Sequence, residues 1–187
     1  IARQLDLPDE EIESIRVAAM LHDIGKMSTP AEILSKPGRL SPAELALIQQ
    51  HPAVAHTILK GIPFPWPIAE IVRQHHERLN GSGYPDGLSG SDILLEARII
   101  AVADTVEAMS SHRPYRPALV TPTAVEEVQR CSGSQFDPDV AAALAEIFDG
   151  HPGRRPPQER RHYPDFLQTT LNGEVVPSLV RLRDRSA

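Results

Sequence analysis

Residues able to ligate metal stand at helical spacing from apolar ones at several points along the chain. His22 falls four residues after Ala18 and seven after Ile15, and Asp23 falls four after Ala19. His51 follows Ile48 by three and precedes Ala55 by four. His75 and His76 follow Ile71 and Val72 by four, and Asp104 follows Ile100 by four and Ala101 by three. Such spacing puts all of these polar groups on or beside buried stripes. A lone histidine on an apolar face is most often a satisfied core residue, but four histidines and two aspartates so placed point to a shared ligand. A carboxylate near a helix C-terminus is electrostatically disfavoured and its burial adds to the cost, so the His22-Asp23 pair calls for a cation.

Mixed imidazole and carboxylate donors suit first-row ions such as iron, manganese or zinc. Six donors exceed a single tetrahedral structural site, and a lone cysteine, Cys131, supplies no cysteine pair. Two ions sharing one carboxylate satisfy the set, with Asp23 the natural bridge. Ions about 3.5–4 Å apart stabilise both the attacking and the leaving oxygen and bring the pKa of water down from about 15.7 towards neutrality. That chemistry is phosphoester hydrolysis more than redox, and Lys26, one turn past Asp23, is placed to meet a phosphate oxygen. The stretch HHERLNGSGYPDGLSG (75–90) leaves the double histidine through four glycines, which suggests a close backbone approach to a ligand. SHRPYRPAL (111–119) offers Arg113, Tyr115 and Arg116, and paired guanidiniums beside a metal centre are suited to phosphate. His56 points off the His51 face, and His112, His151 and His162 lie in loop-like sequence; none of these is expected at the site.

The elements that must carry these groups read as helices. Pro8 and the acids that follow it predict a helix start, with the apolar stripe running to His22 and an exit at Gly25. Ser41-Pro42-Ala43-Glu44 is a capping box opening a helix expected to bend at Pro52. Further helices are predicted over about Trp66–Leu79 and Asp92–Ser110, then from Thr121-Pro122 and from Asp137-Pro138 to Gly150. Strand signals are scarce, and the fold expected is an all-α bundle over residues 1–150. Residues 151–187 change texture: HPGRRPPQERRHYP is rich in proline and arginine, a linker or surface arm, with a small hairpin expected about Asn172-Gly173.

Composition sets bounds. The 187 residues suffice for one domain with a full core, and 24% charged against 41% hydrophobic residues is ordinary for a soluble protein. No apolar run approaches a membrane span, no signal peptide is visible, and one cysteine excludes an internal disulfide, so a reducing, cytoplasmic setting is expected. Residues 1–150 hold 12 Lys and Arg against 21 Asp and Glu, a net of −9, while residues 151–187 hold 7 against 4, a net of +3. An acidic body is a poor platform for duplex nucleic acid, so an anionic substrate needs metals or placed arginines. A first residue Ile1 in place of methionine suggests a piece of a longer protein.

LHDIGK, HHERLNGSGYPDG and ADTVEAMSSHRPYRPAL, in that order with His51-Pro52 between the first two, resemble the HD-GYP domain, a branch of the HD phosphohydrolases. The resemblance covers roughly residues 1–150 and implies an HD-type helical bundle with a buried centre of two or three divalent ions, iron or manganese favoured. It implies hydrolysis of the bacterial second messenger cyclic di-GMP to pGpG and sometimes on to GMP, under an upstream sensory or receiver domain. By position, His22, Asp23, His51, His75, His76 and Asp104 would be ligands and Lys26 would assist at the phosphate. Gly83-Tyr84-Pro85 would form the signature loop, and Arg113 and Arg116 would hold substrate phosphate. The chain departs from the pattern in having no histidine in residues 1–21, where members carry a further ligand upstream, so the ion near His22 and Asp104 is expected to be one donor short. Ala55 stands for a common glycine, Glu107 for a frequent aspartate, and the arginine-rich tail has no counterpart. Two rival readings are a hydrolase of another cyclic dinucleotide and a receptor or scaffold that binds without turnover; a full ligand set disfavours the second.

Overall fold

The computed structural model describes residues 1–111 and 121–149. Arg113, Tyr115, Arg116, Gly150 and the whole 151–187 segment, with its expected linker and hairpin, lie outside the described residues. Within them the fold is all-α, with no strand and only the isolated bridges Asn80–Ser89 and Ser132–Phe136. The helices are α1 (Asp9–Leu21), α2 (Ala31–Leu34), α3 (Pro42–Ile48), α4 (His51–Leu59), α5 (Ile68–Gln74), α6 (Leu95–Ser110), α7 (Thr121–Arg130) and α8 (Pro138–Asp149). A 3-10 turn, Ile24–Ser28, follows α1, and another, Gly90–Asp92, precedes α6.

The apolar stripes named from sequence meet in one core. Ala18 of α1, Ala55 and Leu59 of α4, Ile71 and Val72 of α5, and Ala97, Ile100 and Val102 of α6 are buried together. Val125 and Val128 of α7 and Val140 and Leu144 of α8 extend that core along α6. Helix α4 packs on α5 and on the first 3-10 turn, and α1 packs on α5 and α6. The ends of α1 and α5 and the start of α4 thereby converge. Among the described residues no helix is long and apolar enough to cross a membrane.

The capping box forms as read: Glu44 N–H donates to Ser41 Oγ at 3.3 Å and Ser41 N–H donates to Glu44 Oε2 at 2.7 Å. Ser41→Ala should therefore lower stability by about 1 kcal/mol, a shift of a few degrees in a thermal melt, without altering the donor cluster beyond α3.

Four of the helix assignments differ from expectation. The helix expected to bend at Pro52 is instead broken: α3 stops at Ile48 and α4 begins at His51, because Pro52 has no N–H to give the Ile48 carbonyl. Helix α5 is shorter than Trp66–Leu79; Pro67 precedes its start and it ends at Gln74, so the double histidine lies in the turn that follows. Helix α1 ends at Leu21, not at Gly25, and α6 starts at Leu95 rather than Asp92, after extended residues Ile93 and Leu94. The donors consequently sit at helix ends, with Asp104 alone inside a helix.

Candidate metal centre

Helix ends leave carbonyls without intrahelical partners, and three histidines use them. The Nδ1 atoms of His22, His51 and His75 lie 2.8, 2.8 and 2.6 Å from the carbonyls of Ala19, Ile48 and Val72. The Ile48 carbonyl is the one that Pro52 leaves vacant. A carbonyl only accepts, so each Nδ1 carries the hydrogen and, in the neutral ring, each Nε2 carries the lone pair. That is the orientation by which metal-binding histidines are held by a backbone carbonyl.

The Nε2 atoms point together. His51 Nε2 and His75 Nε2 lie 3.3 Å apart, and the His75 and His76 rings are 4.0 Å apart between centroids. His51, His75 and His76 offer ligand atoms that all lie within 4.8 Å of one another, as do His22, Asp23 and His75. Asp23 faces both groups: its Oδ2 is 3.5 Å from His22 Nε2 and its Oδ1 is 3.6 Å from His51 Nε2. Asp104 Oδ1 lies 3.7 Å from His22 Nε2, on the side of the cluster formed by α6. All six expected donors are thus brought together, and His75 joins the two groups rather than belonging to one.

Electrostatics set the donor states. Burial, reinforced by the neighbouring His76, pushes His51 down to about 4. Burial, with the charges of His76 and His51, holds His75 well below its ordinary value. Burial also opposes a charged His22, but its hydrogen bond to Asp104 and the charge of Asp23 outweigh this and raise its pKa. Burial likewise opposes ionised Asp104, yet the bond from His22 and the nearby imidazoles hold its carboxyl far below the carboxylate range. His51 and His75 are therefore neutral and their two facing lone pairs are available, while Asp104 is an anion.

The donor set fits divalent transition ions. Asp23 Oδ1 is buried and has no hydrogen-bond partner among the described residues, which is costly for a carboxylate unless a cation meets it. Two imidazole lone pairs facing at 3.3 Å repel unless a cation lies against both.

Lys26, also predicted at the site, donates from Nζ to Asp23 Oδ2 at 2.8 Å. Gly83 and Tyr84 sit behind the double histidine. A Cβ on Gly83 would come 2.5 Å from His76 O, Glu77 Cα and Arg78 N, so at this glycine the close approach is to the chain's own backbone. The Tyr84 ring lies 4.8 Å from that of His76, and Tyr84-Pro85 is a cis peptide. His56, set aside from sequence, pairs with Glu70 at 2.9 Å between α4 and α5. The roles of two residues in this geometry escaped the sequence reading. Gly25 lets the 3-10 turn touch α4, since a Cβ there would collide with the His51 carbonyl. Glu77 gathers backbone amides from the glycine-rich loop.

The described helices close on four imidazoles and two carboxylates, the first pair adjacent as His22-Asp23, a donor set suited to divalent metal ions. A family model described as HD domain matches residues 1–140, and the chain belongs to that family, in its HD-GYP branch. It is 44% identical over 146 residues to the cyclic di-GMP phosphodiesterase response regulator RpfG of Xanthomonas campestris, covering 77% of this chain and 39% of that protein. It is 43% identical over 150 residues to 3'3'-cGAMP-specific phosphodiesterase 3 of Vibrio cholerae, covering 80% of this chain and 32% of that one. A cyclic di-GMP phosphodiesterase of Thermotoga maritima is 39% identical over 149 residues, 79% of this chain and 40% of its own length. The chain thus spans less than half the length of these relatives. In fold it is similar to Bd1817, an HD-GYP-type protein of Bdellovibrio bacteriovorus, with a TM-score of 0.65 at 22% identity over 80% of this chain and 48% of that one.

Proposed function

We propose that residues 1–150 form a phosphodiesterase domain that hydrolyses cyclic di-GMP to pGpG, and on to GMP if the linear product rebinds. The observation that carries this reading is Asp23, whose two oxygens address two different histidines at 3.5 and 3.6 Å. Such a carboxylate suits a bridge between two ions. His22, Asp23 and Asp104 would hold one ion and His51, His75 and His76 its neighbour, with Asp23 shared, iron or manganese best matching these donors. Ions held there supply Lewis-acid activation of water and neutralise charge on the phosphodiester.

The chain's own residues do the rest. The carbonyl tethers on His22, His51 and His75 fix the rings before substrate arrives, so no reorientation is needed during reaction. Lys26, held on Asp23 at 2.8 Å, keeps a positive charge at the edge of the cluster where a phosphate oxygen can share it. In the signature loop, Gly83 and Tyr84 act first as the backing of His76, and the resemblance would add them and Pro85 to the substrate contacts. Arg113 and Arg116 would take substrate phosphate. Relatives longer than this chain, one of them a response regulator by name, support an upstream sensory or receiver domain as the regulatory partner.

The test is chromatography of products after the full-length, metal-loaded protein meets cyclic di-GMP, 3'3'-cGAMP and a linear dinucleotide. Formation of pGpG supports the reading; no hydrolysis of any cyclic dinucleotide overturns it. Preference for 3'3'-cGAMP is the second reading, favoured by nearly equal identity to the cGAMP-specific relative. Arg113→Ala should weaken cyclic di-GMP binding by about 10- to 100-fold, the worth of one charge-assisted bond, with bound metal unchanged. Loss of metal from that variant would assign the arginine a supporting role instead.

A further inference from the structure

Glu77 follows the double histidine directly and is 2% exposed, an unusual place for a carboxylate. Its Oε1 accepts the N–H groups of Asp86 at 2.7 Å and Gly87 at 3.1 Å, and its Oε2 accepts that of Leu88 at 3.0 Å. Three successive amides therefore converge on one side chain. One turn earlier, Arg73 grips the Asp86 carboxylate with two bonds of 2.7 and 2.8 Å. Gln74, just before His75, accepts the Leu94 N–H at 2.8 Å. The turn carrying His75 and His76 is thus tied on both sides to the segment between it and α6. Beneath those ties, Gly83 lies on the backbone of residues 76–78 and the Tyr84 ring lies on His76.

We propose that Glu77 is a positioning residue: by collecting the amides of Asp86, Gly87 and Leu88 it fixes the glycine-rich loop and, through Gly83 and Tyr84, the direction in which His76 presents its ring. The proposal rests on the metal-centre reading above. Glu77 belongs to neither group of converging ligand atoms among the described residues, and both of its oxygens are turned to backbone amides. A carboxamide cannot replace it, since one of its two heads is an N–H donor that would face a backbone N–H. Supporting contacts of this kind are worth about 10- to 100-fold in metal affinity.

The experiment compares wild type with Glu77→Gln, following amide exchange over residues 81–90, manganese(II) affinity by calorimetry and the visible spectrum of the cobalt(II)-loaded protein. Expected are faster exchange confined to the loop, about 10- to 100-fold weaker manganese binding and an altered cobalt spectrum while helical content is kept. Faster exchange with unchanged affinity and spectrum overturns the proposal, and so does unchanged exchange. If Glu77→Gln does not fold, Arg73→Met, which releases only the grip on Asp86, must show the same pairing at smaller amplitude; its absence overturns the proposal. Wild-type turnover of cyclic di-GMP is scored separately. A wild type that binds manganese without hydrolysing the dinucleotide defeats the substrate reading, and Glu77 still stands on affinity and exchange. A wild type with no affinity for either ion defeats both.

Discussion

Asp23→Asn is expected to lower phosphodiesterase turnover by two to three orders of magnitude, about 3–4 kcal/mol of transition-state stabilisation. The substitution keeps size and shape but removes the charge that His22 and His51 face from opposite oxygens. It also sets an amide against the Lys26 ammonium, unless the group flips and turns its N–H₂ towards His51 instead. Bound metal should fall in parallel, while the far-ultraviolet circular dichroism stays that of the wild type because Asp23 lies outside α1 and the substitution keeps its size. Metal analysis and turnover measured on the same preparation check this. An asparagine variant that turns over at the wild-type rate would remove the basis for a bridged pair of ions.

Gly25→Ala should have the largest effect on the fold. The atoms its Cβ would strike are backbone: the His51 carbonyl, and Ala55 N at 2.8 Å. Nothing there can swing aside, so the 3-10 turn must lift off α4. A loss of about 3 kcal/mol is expected, or roughly 6–12 °C in melting temperature for a chain of this size. Because that contact also sets the 3.6 Å between Asp23 and His51, metal affinity should fall with it. Gly61→Ala is the matched control, since among the described residues a Cβ there meets nothing within 4 Å. Equal melting of the two variants would show that the turn does not depend on this contact.

What the sequence made legible follows from the range of each interaction. Donor identities could be read because side-chain type and i, i+3, i+4 spacing are local, and the structure brings His22, Asp23, His51, His75, His76 and Asp104 together. The ends of the helices could not. Each histidine tether occupies a carbonyl that periodicity assigns to one more helical turn, and Pro52 breaks where a bend was expected. Gly25 looked like a helix exit because its real constraint lies across the fold, in the carbonyl of His51. Glu77 gave no signal, since its partners are amides nine to eleven residues away and amides have no letter in a sequence. Arg113 and Arg116 remain a reading of sequence and resemblance.

The burial of the cluster is graded, and the gradient has a kinetic meaning. His51 and His75 are wholly buried and His76 nearly so, whereas the side chains of Asp23 and His22 keep 41% and 22% of their exposure. On the metal reading, the open edge formed by Asp23, His22 and Lys26 is a door. An ion lodged among the inner imidazoles arrives first and departs last, and a chelator meets the outer ion long before it reaches the inner one. Loss of metal would then run in two phases of very different rate, and the slower would set how long a purified sample remembers the ion it was loaded with.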